Sequence, residues 1–123
     1  MFKRILATLD GSPLSEQVLP YASGIAGKLG ADLSLLRVVV DPADQEGARE
    51  YVETLAASVK AHPLCIVADG DIAAAIRTET DRLPDTLVAI CSHGRSGAAE
   101  AILGSVAMRV LRTGDSPMLV YRP

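Results

Sequence analysis

Short apolar runs recur along this chain, and amphipathic segments separate them. The runs are rich in Val, Leu and Ile and almost free of charge, a composition typical of strands buried on both faces of a sheet. Each run is followed closely by Asp, Gly, Ser or Pro, the residues that form turns. The predicted strands are residues 3–9, 32–40, 64–68, 86–90 and 118–121.

Segments between the strands carry apolar residues at spacings of three and four, which is the period of an amphipathic helix. The predicted helices are residues 13–29, 43–60, 72–79 and a fourth that begins after Gly104-Ser105. Pro20 lies inside the first helix, where we expect a mild kink; the alternative is that the preceding turns form a separate element. Asp71 is expected to cap the third helix rather than to bind a metal with Asp69.

The alternation of strands and helices predicts an α/β fold, with an open five-stranded parallel sheet and helices on both of its faces. The chain has 123 residues, enough for a single domain, 1–123, with a sizeable core. Because the chain contains one Phe, three Tyr and no Trp, that core must consist of Val, Leu, Ile and Ala.

Charge and composition argue against several classes of partner. The net charge is −3 and no cluster of Lys and Arg is longer than a pair, so no nucleic-acid partner is expected. No apolar run approaches the ~20 residues of a membrane span, so no membrane partner is expected either. The segment Met1–Leu6 lacks the apolar core of a signal peptide, and we expect a cytoplasmic protein. In that compartment Cys65 and Cys91 are predicted to be free thiols rather than a disulfide.

The fourth predicted strand leads directly into a glycine-bearing loop, Cys91–Gly97, and Gly104 and Ser105 follow at the predicted start of a helix. Glycines let a backbone approach an anion closely, and a helix N-terminus offers free N–H groups to it. The arrangement is compatible with a phosphate cradle. The alternative is that these glycines only turn the loop.

Asp10 stands at the carboxyl end of the first predicted strand, where open α/β sheets place their ligands. A carboxylate at this point can accept hydrogen bonds from ribose hydroxyls. The alternative is that Asp10 caps the turn that follows it. Thr8 lies two residues earlier, on the same face of the strand.

The loop resembles the nucleotide-binding motif of the universal stress protein family, which reads Gly, two residues, Gly, nine residues, Gly, and then Ser or Thr. Gly94, the nine residues Arg95–Leu103, Gly104 and Ser105 match the later part of this motif, and Cys91 occupies its first glycine position. The resemblance extends over nearly the whole chain, residues 3–121.

The resemblance implies a Rossmann-like sheet with strand order 3-2-1-4-5 and a nucleotide crevice between the first and fourth strands. It implies ATP, or ADP or AMP, as the ligand, with Mg²⁺ bound through the phosphates, and a homodimer formed through Met118–Tyr121. Asp10 would face the sugar and base, and Val38 would pack against the adenine. The family often has His where Arg37 stands, and no role is assigned to Arg37. The residues implied at the nucleotide are Thr8, Asp10, Val38, Cys91, His93, Gly94, Arg95, Gly97, Gly104, Ser105 and Val106.

The residues favour nucleotide binding in a stress-response protein over catalysis. The chain has neither a Gly-x-Ser-x-Gly elbow nor the full phosphate-binding loop with its lysine. His93 could contact a phosphate or donate a proton, although a hydrogen bond within the loop is its simpler role. Two alternatives stay open. One is an interaction protein of the same fold without nucleotide binding, for which Cys91 is the clue, and the other is a slow phosphohydrolase or nucleotidyl-transfer enzyme.

Overall fold

The computed structural model describes residues 1–92 and 98–123, together with the side chains of 1–92 and 106–123. The described strands are β1 Arg4–Leu9, β2 Asp32–Val39, β3 His62–Val67, β4 Thr86–Cys91 and β5 Met118–Tyr121. They form one parallel sheet in the order β3-β2-β1-β4-β5, as the sequence predicted. The central strand is therefore β1, with β2 on one side and β4 on the other.

The α-helices in the described part are α1 Leu19–Leu29, α2 Gln45–Val59, α3 Ile72–Arg82 and α4 Ala98–Thr113, and short 3-10 helices occupy Ser15–Val18 and Pro42–Asp44. One core cluster contains residues of α1 and α2, and a second contains residues of α3 and α4. The helices thus cover both faces of the sheet, as right-handed crossovers between parallel strands require.

The side chains of β1 alternate between these two clusters. Ile5, Ala7 and Leu9 pack on the α1/α2 face, whereas Leu6 packs on the α3/α4 face. Every residue of β1 is buried. Because both faces of the strand are buried, its sequence is a nearly continuous apolar run rather than an alternation of apolar and polar residues.

Three neighbouring strands end at the same edge of the sheet because all of them are parallel. Thr8 of β1 lies opposite Leu36 of β2 and opposite Ile90 of β4. The chain leaves β1 toward β2 and β3 but leaves β4 toward β5, so the connections diverge between β1 and β4. Open α/β sheets have their ligand crevice at such a point of divergence.

The expected kink at Pro20 is wrong, and the alternative of a separate element is confirmed. Ser15–Val18 form a 3-10 helix, and α1 begins only at Leu19. Pro20 therefore lies in the first turn of α1. Backbone N–H groups in that turn have no acceptor within the helix, so a proline costs no hydrogen bond there, and its fixed φ suits the helix.

The predicted start of the fourth helix is also wrong. α4 begins at Ala98, so Gly104 and Ser105 lie within the helix rather than at its N-terminus. Residues 98–103 include three Ala, a Glu and a Leu, which are strong helix formers. A single glycine within a helix costs only about 1 kcal/mol, so it does not stop the helix there.

Two further boundaries differ from the prediction. β3 begins at His62 rather than at Leu64, because β3 lies at the edge of the sheet, where Pro63 can be accommodated. α3 continues through Thr80 to Arg82 instead of ending before Thr80. The Thr80 hydroxyl donates to the carbonyl of Ile76 at 2.8 Å, which satisfies this polar group inside the helix.

A buried ion pair lies near the amino end of β1. The guanidinium of Arg4 donates to Oε2 of Glu79 at 2.7 Å, and the two side chains are only 6% and 8% exposed. Arg82 donates to the same oxygen at 2.8 Å. Burial raises the pKa of the Glu79 carboxyl, but the hydrogen bonds and charges of Arg82 and Arg4 outweigh it and hold that pKa below its ordinary value.

We expect Glu79→Gln to lower the free energy of unfolding at pH 7 by about 3 kcal/mol, because it leaves the buried Arg4 charge without its carboxylate. The pKa of Glu79 is lower in the folded protein than in the unfolded chain. The stability that the ion pair provides is therefore complete above the pKa of the unfolded chain and is lost as pH falls through the folded pKa. The difference in free energy of unfolding between the parent and the variant should begin to shrink below about pH 4. Urea unfolding at pH 7 and at acidic pH measures both effects.

Glu46→Gln is the matched control, since Glu46 forms an exposed pair with Arg49 at 3.4 Å. That variant should change the free energy of unfolding by less than about 0.5 kcal/mol. Equal losses in the two variants would contradict a special role for the buried pair.

Cys65 and Cys91 do not form a disulfide, as predicted. Cys65 is half-buried and Cys91 is fully buried. Burial raises the pKa of the Cys65 thiol, which keeps it protonated. Among the described helices, none is both long and apolar enough to cross a membrane.

Candidate functional site

The carboxyl ends of β1, β2 and β4 bring several predicted site residues to one edge of the sheet. Thr8 lies near the end of β1, and Asp10 follows that strand directly. Val38 lies near the end of β2 and packs in the α3/α4 core cluster. Alternation along β1 puts Thr8 on this same face, because Ala7 and Leu9 belong to the opposite cluster.

Two hydroxyl groups at this edge are buried without a hydrogen-bond partner among the described residues. They are Oγ1 of Thr8, a residue that is 3% exposed, and Oγ of Ser92, which immediately follows β4. An unpartnered buried hydroxyl costs about 1–3 kcal/mol, so such groups are rare unless a ligand or water satisfies them. Both hydroxyls flank the point where the connections of the sheet diverge.

Sequence reasoning did not single out Ser92 as a site residue. The signal was its position directly after β4, at the edge where open α/β sheets place their ligands. Alternation along β4 does not assign its face, because the neighbouring residues Ile90 and Cys91 both pack in the α3/α4 cluster. The amide of Ser92 donates to the carbonyl of Tyr121 at 2.9 Å, which ties this residue to the end of β5.

Asp10 caps the turn that follows β1, as the alternative interpretation proposed. Its Oδ1 accepts from the amide of Ser12 at 2.9 Å and from the Ser12 hydroxyl at 2.5 Å. The Ser12 hydroxyl oxygen in turn accepts from the amide of Ser15 at 3.2 Å, and Ser15 Oγ donates to the carbonyl of Ser12 at 2.8 Å. We call residues 10–15 the Asp10 loop. This local network fixes the orientation of the Asp10 carboxylate before any ligand arrives.

Gly11 is backed by the side chain of Arg37. The φ of Gly11 is +88°, a left-handed value that side chains other than glycine rarely adopt. A Cβ at this position would lie 3.3 Å from Nε and from Nη2 of Arg37. Nη1 of Arg37 also donates to the carbonyl of Val38 at 2.9 Å. The guanidinium thus bonds to the end of β2 and lies beside the Asp10 loop.

The remaining predicted site residues divide into three groups. Cys91 is fully buried in the α3/α4 cluster, and Val106 of α4 packs in the same cluster. Gly104 and Ser105 lie within α4, and only their backbone is described. The others lie outside the described residues: His93, Gly94, Arg95 and Gly97.

Comparison with known proteins identifies the family. The model of the universal stress protein family matches residues 1–122. The chain belongs to the universal stress protein family. A universal stress protein of Mycolicibacterium smegmatis is 29% identical over 97% of this chain, although the chain spans only 45% of that relative. Universal stress protein YxiE of Bacillus subtilis is 27% identical over 99% of this chain and its own full length.

Solved structures share the fold. A universal stress protein in complex with cAMP superposes with a TM-score of 0.75 at 21% identity, covering 98% of this chain and 97% of that one. The universal stress protein from Archaeoglobus fulgidus in complex with dAMP gives 0.74 at 17% identity, over 98% and 97% of the two chains. At these identities the likeness establishes a common Rossmann-like α/β architecture, as the sequence predicted.

We expect Thr8→Val to leave the free energy of unfolding unchanged, or to raise it by up to about 1 kcal/mol, because the valine methyl replaces a hydroxyl without a partner. Thr80→Val is the matched control, since Thr80 is also 3% exposed but donates to Ile76. That change should lower the free energy of unfolding by about 1 kcal/mol. Urea unfolding measures the free energy of unfolding of both variants. Equal losses of stability would show that the Thr8 hydroxyl has a hydrogen-bond partner in the free protein.

Proposed function

We propose that this protein binds an adenine nucleotide, with ATP as its ligand, at the edge formed by the carboxyl ends of β1, β2 and β4. The observation that carries the proposal is a pair of buried hydroxyls without a hydrogen-bond partner among the described residues, one on Thr8 of β1 and one on Ser92, which follows the adjacent strand β4. A bound nucleotide would supply the acceptors that these hydroxyls lack. The complexes of two structural relatives with cAMP and dAMP support an adenine nucleotide as the class of ligand.

Each described residue at this edge has a role suited to its chemistry. The buried, apolar Val38 offers a surface for the flat face of the base. Asp10, held by the turn, accepts hydrogen bonds from ribose hydroxyls. Thr8 and Ser92 donate to oxygens of the sugar or of the first phosphate.

The phosphates belong, in this proposal, near the segment that connects β4 to α4. The family motif residues Gly94, Gly104 and Ser105 carry this role, together with His93, Arg95 and Gly97. Mg²⁺ would enter bound to the phosphates, because the described residues contain no group of three or more potential metal ligands. Because α4 begins at Ala98, Gly104 would approach the phosphates from within the helix rather than from its first turn.

Isothermal titration of the purified protein with Mg-ATP tests the proposal, and a denatured sample is examined in parallel for nucleotide that co-purifies. We expect binding in the micromolar range, and Thr8→Val should weaken it about tenfold, because one hydrogen bond to a charged ligand is lost. Thr80→Val should bind as tightly as the parent, since Thr80 lies within α3 with its hydroxyl bonded to Ile76.

Titrations with ADP, AMP and cAMP rank the ligands under the same conditions. An absence of both heat and trapped nucleotide would reject the proposal and favour the interaction protein of the same fold. Equal affinities of the parent and Thr8→Val would retain a nucleotide site but remove Thr8 from it.

We propose further that the protein forms a homodimer through Met118–Tyr121. β5 lies at the edge of the described sheet and pairs there only with β4. Val120 is 40% exposed on this strand, and Tyr121 is fixed by stacking on Tyr21 with ring centroids 4.9 Å apart. An ordered edge strand with exposed apolar residues favours pairing with a second copy.

Val120→Lys should convert the dimer into a monomer, because a charge on an edge strand opposes pairing. Leu83→Lys is the matched control, since Leu83 is 39% exposed but lies at the end of α3. Sedimentation equilibrium of the two variants and the parent gives the oligomeric state. A monomeric parent, or a Val120→Lys variant that remains dimeric, would reject this interface.

A further inference from the structure

Arg37 lies on β2 beside Val38 but faces the opposite side of the sheet. Val38 packs in the α3/α4 cluster, so alternation directs Arg37 toward α2. There it lines a cavity of about 560 Å³ together with Gly11 and Tyr51. The sequence assigned this arginine no role, and the proposed nucleotide contacts do not include it.

The guanidinium lies between the end of β2 and the Asp10 loop. Nη1 donates to the Val38 carbonyl at 2.9 Å, and the Nε–Nη2 edge of the group faces Gly11, where a Cβ would lie 3.3 Å from both nitrogens. Val38 and the Asp10 loop are the segments proposed to hold the base and the sugar. Arg37 therefore spans the two halves of the nucleoside site from behind.

Tyr51 anchors the segment that follows the Asp10 loop. Its hydroxyl donates to Oε2 of Glu16 at 2.6 Å. Burial, followed by the hydrogen bond and charge of Glu16, raises the pKa of Tyr51, so the phenol stays protonated and remains a donor. Tyr51 lines the same cavity as Arg37 and Gly11.

We infer that Arg37 is a positioning residue, which holds the Asp10 loop and the end of β2 at the separation that a nucleoside requires. This inference rests on the proposed function. A site held in its bound geometry before the ligand arrives loses less conformational entropy on binding, and its affinity is correspondingly higher. The positive φ of Gly11 favours glycine in this arrangement, and a Cβ there would press on Nε and Nη2 of Arg37 at 3.3 Å.

The test compares Arg37→Met with Arg49→Met. Both changes remove one guanidinium, but Arg49 lies on the exposed face of α2 and pairs with Glu46. Titration with Mg-ATP should show affinity at least about tenfold lower for Arg37→Met and unchanged affinity for Arg49→Met. Arg37→Lys should give an intermediate affinity, because an ammonium can donate to the Val38 carbonyl but lacks the Nε–Nη2 edge that faces Gly11.

Amide hydrogen exchange in the absence of nucleotide supplies an independent measurement. The Ser12 amide, which donates to Asp10, should exchange faster in Arg37→Met than in the parent or in Arg49→Met. A general loss of stability would instead speed exchange in the core of β1 by the same factor. If Arg37→Met does not fold, the same comparisons are made with Arg37→Lys.

The outcomes separate the two proposals. Parent-like affinity and parent-like Ser12 exchange in Arg37→Met would overturn the positioning role and leave nucleotide binding intact. If the parent binds no nucleotide, the proposed function fails and the role of Arg37 in binding fails with it. The exchange experiment requires no nucleotide, so it still tests whether Arg37 supports the Asp10 loop. Faster Ser12 exchange in Arg37→Met would then show that the contact is right and the proposed ligand is wrong.

Discussion

The structure depends on the complete burial of β1. This strand lies in the middle of the parallel sheet and packs against helices on both faces, and each of its residues is at most 5% exposed. Apolar side chains satisfy that constraint without further help, whereas every polar group on the strand needs a partner. The polar groups at the two ends of β1 differ in how far the described residues satisfy that need.

At the amino end the polar groups are fully satisfied. Arg4 is 5% exposed, and its guanidinium donates to the carboxylate and the carbonyl of Glu79 and to the hydroxyl of Thr86. At the carboxyl end the hydroxyl of Thr8 is as deeply buried and has no described partner. The polar side chain at the amino end of β1 thus has its hydrogen bonds, whereas the Thr8 hydroxyl at the carboxyl end has none to a described residue. The carboxyl end is the edge where open α/β sheets bind ligands.

Preorganisation at that edge comes from two layers of contacts. Within the Asp10 loop, the carboxylate, Ser12 and Ser15 bond to one another. Behind the loop, the Arg37 side chain of β2 lies beside Gly11, and Tyr51 of α2 bonds to Glu16, the residue that follows the loop. The local turn orients the Asp10 carboxylate. In the positioning role that we infer for Arg37, the outer contacts set the distance between this loop and Val38.

The sequence by itself predicted five strands and their parallel arrangement, because buried parallel strands read as apolar runs. The order of the strands followed from the resemblance of the motif residues, which lie close together along the chain, to the universal stress protein family. The sequence also indicated Asp10, Thr8 and Val38 at strand ends. Helix starts were decided by tertiary structure and by neighbouring propensities, as the positions of Pro20 and Gly104 in their helices show. The unpartnered state of Thr8 and Ser92, and the contact of Arg37 with Gly11, depend on segments far apart in the chain. No local pattern encodes such contacts, because they exist only once β1, β2 and β4 lie side by side.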